Sequence, residues 1–321
     1  MAYRHPRLPR KPEPHIALWM LRLLASPTGL PLFATKGGFA SDRLAYALDL
    51  DHWIDPEDRA FDLQAVRGEL YELLARAERT AAHLPLPTPL HGNAEQLAAL
   101  VGLDAVQTHI LAFTVCLHCD PLLEETSDLL GSLSSTQVAQ TLAVALGLAP
   151  AQVRQALGGQ GLLARTGLLT IDSRHSGDLK SKLDLLSNNF ADQLLSSDAN
   201  PIELLRDKIQ PAPAATLQLA DYAHIQPMLD IIRPWLRHAQ ESRRRGVNLL
   251  CWGPPGTGKT ELARSLAQDL GCALFEVSSE DEDGDPIDGP QRLRAFRAAQ
   301  SFFSQRRALL VFDEAEDVFN D

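Results

Sequence analysis

A glycine-rich octapeptide at residues 253–260, Gly-Pro-Pro-Gly-Thr-Gly-Lys-Thr, constrains the fold of this 321-residue chain more than any other feature. It follows Val247–Trp252, a short apolar run that is typical of a strand covered on both faces in a parallel sheet. It precedes Leu262, Leu266 and Leu270, whose four-residue spacing predicts a helix with one apolar face. A strand, a tight loop and a helix in this order predict an α/β domain built on a parallel sheet.

The same octapeptide matches the phosphate-loop pattern, in which Gly, four residues, Gly and Lys precede Ser or Thr. The glycines let successive backbone N–H groups point at phosphates, and the next helix directs its positive end to the same place. We expect Lys259 to bridge the β- and γ-phosphates of ATP and the Thr260 hydroxyl to coordinate Mg²⁺. The alternative, a structural turn without nucleotide, is disfavoured by the order of strand, loop and helix. The predicted nucleotide-binding residues are Gly253, Pro254, Pro255, Gly256, Thr257, Gly258, Lys259, Thr260 and Glu261.

Two carboxylates follow a second apolar run near the end of the chain. Residues 309–312 are Leu-Leu-Val-Phe, and Asp313 and Glu314 come directly after them. A buried parallel strand delivers such carboxylates at its C-terminal end, where open α/β sheets bind ligands. We expect Asp313 to hold Mg²⁺ through water, and Glu314, with Lys259, to be catalytic by orienting and deprotonating the attacking water. A solvated acidic loop is the alternative, because the charges continue beyond Glu314.

The octapeptide at 253–260, together with Asp-Glu closing an apolar strand at 313–314, resembles the AAA-type AAA+ ATPases, which are P-loop NTPases. The resemblance covers about residues 221–321. It implies a cytoplasmic ATPase that uses ATP and Mg²⁺, works as a hexameric ring and remodels a macromolecular, usually protein, partner. It also implies that Tyr222–Ile225 is a strand-like segment beside the adenine base.

The chain departs from that family at two places. Ile287-Asp288-Gly289 lies where unfoldases of the family have an aromatic client-gripping loop, which argues against threading of an unfolded chain. The acidic segment before it, within 280–288, is interpreted as a solvated loop, with a client contact as the alternative. The chain also ends at Asp321, before the family's remaining strands, polar sensor, arginine finger and helical lid.

The second departure predicts an incomplete core. In the family's strand order, 5-1-4-3-2, the fourth strand separates the phosphate-loop strand from the strand that ends at Asp313. Without it we expect Val247–Trp252 to face an open slot and expose unpaired backbone groups. The resulting hypothesis is an N-terminal portion of a longer ATPase, with slow or no turnover alone.

The first two thirds of the chain predict helical accessory regions. The fold class is therefore α/β, with a mostly helical N-terminal region and then an incomplete parallel-sheet core. A helix is predicted over Leu63–His83, and two helix-turn-helix copies turn at Gly102 and Gly147. A hairpin, with 161–163 and 168–171 as its strands, would complete a winged-helix-like module. The predicted regions are 1–88 (helical), 89–172 (tandem helix-turn-helix, winged-helix-like), 173–216 (helical connector and Pro-rich linker) and 217–321 (partial nucleotide-binding domain).

Charge and composition limit the partners. The formal net charge is −11, and residues 89–172 carry two basic against seven acidic residues, so nucleic-acid binding is not expected. No apolar run approaches the roughly 20 residues of a membrane span, and Arg22 interrupts the N-terminal run that superficially resembles a signal peptide. Cys116 and Cys119 lie in an apolar segment, which favours buried structural thiols over a metal pair.

These observations favour an ATPase that remodels a protein partner. The alternative is a non-enzymatic ATP-binding adaptor, in which residues 89–172 bind a protein and ATP only switches the conformation. An ATP-controlled DNA regulator is disfavoured by the acidic balance.

Overall fold

The computed structural model describes residues 11–54, 60–80, 84, 86–172, 176–196, 203–244, 246–280, 284–304 and 306–318. Its contacts divide the chain into two compact units, Met1–Ala199 and Asn200–Asp321. Over the described ranges the protein is mixed α/β and rich in helices, with three small sheets. Among these helices, none combines the length and the hydropathy that crossing a bilayer demands.

The first unit is mainly helical. Its described helices are Pro14–Leu24 (α1), Leu30–Phe33 (α2), Asp42–Ala47 (α3), Leu63–Thr80 (α4), Thr88–Val101 (α5), Ala105–Cys119 (α6), Pro121–Asp128 (α7), Ser135–Leu146 (α8), Pro150–Leu157 (α9), Leu162–Arg165 (α10), Leu179–Lys182 (α11) and Asn188–Leu195 (α12). Its described strands form two antiparallel pairs, Ala34–Thr35 (β1) with Gly38–Phe39 (β2), and Leu169–Ile171 (β3) with Leu183–Leu185 (β4).

Helix α6 forms the centre of this unit. Residues 110–117 are all buried, because α5, α7, α9 and α12 pack around the helix. A helix that is apolar on every side is stable only when it is enclosed in this way. Burial raises the pKa of Cys116 and of Cys119 to about 12 each, so both thiols stay protonated at neutral pH.

Two glycine turns of the first unit are confirmed, and its hairpin prediction is wrong. Gly102 and Gly147 follow α5 and α8 with φ of 83° and 65°, the left-handed conformation that glycine adopts at low cost. Leu162 and Leu163, however, lie in helix α10, and β3 pairs with β4 instead. Periodicity could not separate the two outcomes, because an apolar pair fits one helical turn as well as a strand.

Helix α4 begins at Leu63 as predicted and ends at Thr80. Residues 81–83, the rest of the predicted helix, lie outside the described residues.

The second unit is a three-stranded sheet with helices. The strands are Ile209–Pro211 (β5), Ala273–Val277 (β6) and Ala308–Val311 (β7), in the order β5-β6-β7. The helices are Gln226–Glu241 (α13), Lys259–Leu270 (α14) and Gly289–Phe302 (α15). Strands β6 and β7 are parallel, as predicted for the apolar run at 309–312, whereas β5 is an antiparallel edge.

The Pro-rich segment begins in the sheet. Pro211 is the last residue of β5 and lies opposite Phe275 of β6, and the N–H of Ala212 donates to the carbonyl of Leu274 at 2.9 Å. Proline is tolerated there because an edge strand can leave one side without ladder donors.

The predicted strand at Val247–Trp252 is wrong. Within the described residues this segment joins no ladder, and its Leu250 and Trp252 side chains are 78% and 88% exposed. The reason is topological, since β6 lies between β5 and β7 and the described pairings give β7 only that one neighbour. An apolar run becomes a strand only where another strand takes up its backbone hydrogen bonds.

Candidate nucleotide-binding site

The loop before α14 is built on glycines in conformations that other residues rarely adopt. Gly253, Gly256 and Gly258 have φ of 147°, 76° and 80°. Gly258 also packs closely, because a Cβ added there would lie 3.2 Å from the hydroxyl oxygen of Tyr222. Any side chain at these positions would strain the turn that leads into the helix.

Lys259 and Thr257 fold over this loop. The Lys259 Nζ donates to the carbonyl oxygens of Gly253 at 3.1 Å and Pro254 at 2.9 Å. The Thr257 hydroxyl donates to the Pro254 carbonyl at 2.9 Å. Residues 251–257 are exposed, so a positive charge and the N-terminus of α14 face an accessible surface.

One hydrogen bond joins the two halves of the predicted site. The Thr260 hydroxyl donates to Asp313 Oδ2 at 2.6 Å, across 53 residues of sequence. The hydroxyl is on the first turn of α14 and the carboxylate follows β7, and these two elements pack together. The Asp313 carboxylate also accepts the backbone N–H of Glu314 at 3.1 Å, so both of its oxygens have partners.

The donor set suits a hard divalent cation. A carboxylate and a hydroxyl supply oxygen ligands, and Mg²⁺ is usually bound by one or two carboxylates together with substrate phosphates. In the described part of the chain, no three or more His, Cys, Asp or Glu side chains are grouped to hold a metal ion. Thr260 and Asp313 are therefore the residues that fit Mg²⁺ at this place.

Glu314 has an unusual backbone. Its φ of 52° lies in the left-handed region, which is uncommon for a residue other than glycine. Its side chain is exposed at the end of β7, next to Asp313. Such a conformation persists only where the surroundings hold it, and it clusters at functional sites.

The Glu261 carboxylate makes its hydrogen bonds with residues outside the phosphate loop. Its Oε2 accepts the N–H and hydroxyl of Thr216, both at 2.9 Å, and the N–H of Leu217 at 3.2 Å. Its Oε1 accepts from Arg264 at 3.0 Å. The backbone hydrogen bond from Thr216, followed by Arg264, lowers the pKa of Glu261 to about 2. The geometry assigns this side chain, which the sequence grouped with the nucleotide ligands, to fixing α14.

Tyr222 has a different position from the one the resemblance implied. Leu219–Ile225 is a 3₁₀ helix rather than a strand, and the Tyr222 ring is 4% exposed, packed with Leu262 and Leu266 of α14. Its hydroxyl donates to the Gly258 carbonyl at 3.0 Å, and burial raises its pKa. Tyr222 therefore supports the loop from within the core.

Sequence reasoning missed two contacts of the site. The loop contact of Tyr222 has no sequence signal beyond apolar spacing, and Arg292 resembles an ordinary helix-surface charge. In the structure the Arg292 guanidinium is buried and donates to the Asp313 carbonyl at 2.5 Å. Both contacts join residues distant in the chain, so neither could be read from local pattern.

Comparisons with known proteins place this geometry in context. Residues 249–321 match the family model described as "ATPase family associated with various cellular activities (AAA)". This match confirms the resemblance inferred from residues 253–260 and 313–314. No solved structure matches the chain.

Similar curated proteins match the chain over part of its length. "ATP-dependent zinc metalloprotease FtsH 1" of Symbiobacterium thermophilum is 34% identical over 95 residues, 27% of this chain and 15% of its own length. "Replication factor C large subunit" of Pyrobaculum calidifontis is 32% identical over 87 residues, 26% of this chain and 19% of its own. "26S proteasome regulatory subunit 8 homolog" of Naegleria fowleri is 25% identical over 131 residues, 37% of this chain and 31% of its own. The chain thus spans less than a third of the length of each of these relatives.

Proposed function

We propose that this chain, whose residues 249–321 match the model of the AAA family of ATPases, binds ATP with Mg²⁺ and hydrolyses it to ADP and phosphate. One observation carries the proposal: the 2.6 Å hydrogen bond between the Thr260 hydroxyl and Asp313 Oδ2. It supports the proposal because it brings the helix that opens at the phosphate loop to the carboxylate end of β7, where open α/β sheets bind ligands.

Each residue has a distinct role in this proposal. The backbone N–H groups of 253–258 and the N-terminus of α14 bind the phosphates, and Lys259 neutralises the β- and γ-phosphates. Thr260 binds Mg²⁺ directly and Asp313 holds it through water, and the cation when bound neutralises charge that develops on the phosphates. Glu314 orients the attacking water and takes its proton.

The larger role that we propose is remodelling of a protein partner by a hexameric ring. The resemblance supports this, and two similar proteins are named as an ATP-dependent metalloprotease and a proteasome regulatory subunit homologue. The net charge of −11 favours a protein over a nucleic-acid partner. We place the assembly in the cytoplasm.

We propose the regions 1–88, 89–172, 173–216 and 217–321, with β5 of the third region pairing with β6 of the fourth. The order α8, α9, α10 and β3 within 89–172 supports a winged-helix-like module that binds a protein, and β4, which pairs with β3, lies just beyond this region.

An incomplete core with slow turnover is part of the same proposal. Val247–Trp252 joins no ladder among the described residues, so the entry to the phosphate loop is not held by a sheet. We expect weak preorganisation of this entry segment, and therefore slow hydrolysis by residues 1–321, although the loop itself still binds nucleotide. The same observation favours the alternative, an adaptor that binds ATP without turnover and presents residues 89–172 to a protein.

Binding and turnover measured on the same variants test these proposals. A fluorescent ATP analogue, titrated with and without Mg²⁺, reports affinity, and phosphate release reports hydrolysis. Lys259→Ala should weaken binding by tenfold or more, whereas Lys36→Ala, at an exposed lysine of the first unit, should bind as the wild type does. Glu314→Gln should keep the affinity and lose turnover.

The outcomes separate the two candidates. An adaptor would bind the analogue, show no phosphate release and lose nothing on Glu314→Gln. A wild-type chain without Mg²⁺-dependent affinity would refute both functions.

A further inference from the structure

Arg292 is the largest side chain that is fully enclosed among the described residues, with 1% of it exposed. It lies in the first turns of α15, a helix capped by the Asp288 carboxylate, which accepts the N–H of Gln291 at 2.7 Å. Arginine is almost never fully buried unless its charge is paired. A guanidinium in this position therefore needs acceptors placed for it.

The acceptors include backbone atoms of the two acidic residues after β7. Arg292 Nη2 donates to the Asp313 carbonyl at 2.5 Å, and Nη1 lies 3.5 Å from the Glu314 carbonyl oxygen. The guanidinium carbon is 4.7 Å from the centre of the Phe312 ring, a cation–π contact. One cation thus contacts three consecutive residues, and its contacts with Asp313 and Glu314 go to carbonyl oxygens.

This arrangement leaves the acidic side chains available for other contacts. The Asp313 carboxylate accepts from Thr260 and from the Glu314 N–H, and the Glu314 side chain is exposed. The left-handed backbone of Glu314, with φ of 52°, requires surroundings that hold it. Two carbonyls that converge on one rigid, forked guanidinium supply such a restraint.

We propose that Arg292 is a positioning residue of the nucleotide site: its buried guanidinium holds the backbone of Asp313 and Glu314 so that their carboxylates face Mg²⁺ and the attacking water. This inference rests on the proposed function and deepens it. Arg292 acts through Asp313 and Glu314 and itself touches neither ATP nor Mg²⁺.

Metal-dependent affinity distinguishes positioning from a purely structural role. The experiment titrates the wild-type 321-residue chain and its variants Arg292→Met, Arg292→Lys and Arg297→Met with a fluorescent ATP analogue, in Mg²⁺ and in excess EDTA. Arg297 is on the same helix and exposed, so its variant controls for loss of one positive charge. Loss of a residue that orients a metal ligand typically costs about 10–100-fold in metal affinity.

The expected result is a selective loss. Arg292→Met should bind the analogue in EDTA as the wild type does, and the gain in affinity on adding Mg²⁺ should fall about tenfold. Arg292→Lys should recover part of that gain, because one ammonium can reach one carbonyl, and Arg297→Met should keep all of it.

Two results would overturn the inference: a wild-type Mg²⁺ gain in Arg292→Met, or an equal loss with and without Mg²⁺. If Arg292→Met does not fold, Arg292→Lys decides, and an unchanged Mg²⁺ gain in that variant refutes the positioning role. A wild-type chain that binds no nucleotide would instead refute the proposed function, and the inference with it.

Discussion

Replacing Tyr222 with Phe removes one hydrogen bond from the phosphate loop and leaves the ring in place. The Tyr222 hydroxyl donates to the Gly258 carbonyl at 3.0 Å, and the ring is packed against Leu262 and Leu266. The same carbonyl also accepts the N–H of Leu262 at 2.8 Å, so it keeps one partner in the variant. The loss is therefore that of one neutral hydrogen bond, about 1 kcal/mol, rather than that of an orphaned acceptor.

Native-state hydrogen exchange of α14 measures this loss directly. A decrease of about 1 kcal/mol in the free energy of opening raises the exchange rate of the helix amides about fivefold. Tyr71→Phe is the matched control, because Tyr71 is 40% exposed on α4 of the first unit, and its variant should leave the α14 rates unchanged. Unchanged α14 exchange in Tyr222→Phe would refute the view that this hydroxyl supports the loop.

Three further predictions concern stability and exposed surface. Burial lowers the pKa of His15, which is 5% exposed, and its Nε2 has no hydrogen-bond partner among the described residues. As the pH falls, His15 is therefore protonated in the unfolded chain before it is protonated in the folded one, and the urea midpoint should fall below about pH 6.5. His15→Leu should remove this dependence of the midpoint on pH. The pKa of the Glu261 carboxylate is lowered to about 2, so its stabilising contribution is complete above about pH 4.5 and is lost as the pH falls toward 2. Glu261→Gln should therefore lower the urea midpoint at pH 7 and reduce the fall of the midpoint with pH in acid. A fall in acid as steep as that of the wild type would contradict this. The double substitution Leu250→Ser and Trp252→Ser should leave the midpoint within about 0.5 kcal/mol, because both side chains are exposed, and should reduce light scattering on concentration; a loss of several kcal/mol would show that these side chains are packed in solution.

The sequence predicted the parts of the site that follow from local pattern. The glycine spacing of 253–260 predicts the curled loop, and the apolar run before Asp313 predicts a strand with carboxylates at its end, which β7 and the Thr260 contact bear out. These features depend on backbone chemistry within a few residues, so one sequence is enough to find them.

The rest depends on contacts between distant residues. Val247–Trp252 has the composition of a strand but lacks a neighbouring strand among the described residues, and composition carries no information about the neighbour. Leu162–Arg165 is helical, and β3, with which it was predicted to pair, pairs with β4 instead. Arg292 is buried because α15 packs beside the end of β7, whereas on its own helix it is one of several arginines.

The phosphate loop is therefore held from one side. Before the loop, Val247 is the one residue of the described segment 247–252 that packs against the core cluster around Tyr222. After the loop, α14 is held by three contacts: Tyr222 with Gly258, Thr216 and Leu217 with Glu261, and Asp313 with Thr260. A loop whose following helix is clamped at three points keeps its N–H groups oriented even where its preceding segment has no ladder. If this is correct, the Leu250→Ser and Trp252→Ser substitutions should spare Mg²⁺-dependent ATP affinity, and Glu261→Gln should weaken it although that carboxylate points away from the loop. The opposite result would mean that the preceding segment, and not the clamp on α14, sets the geometry of the loop.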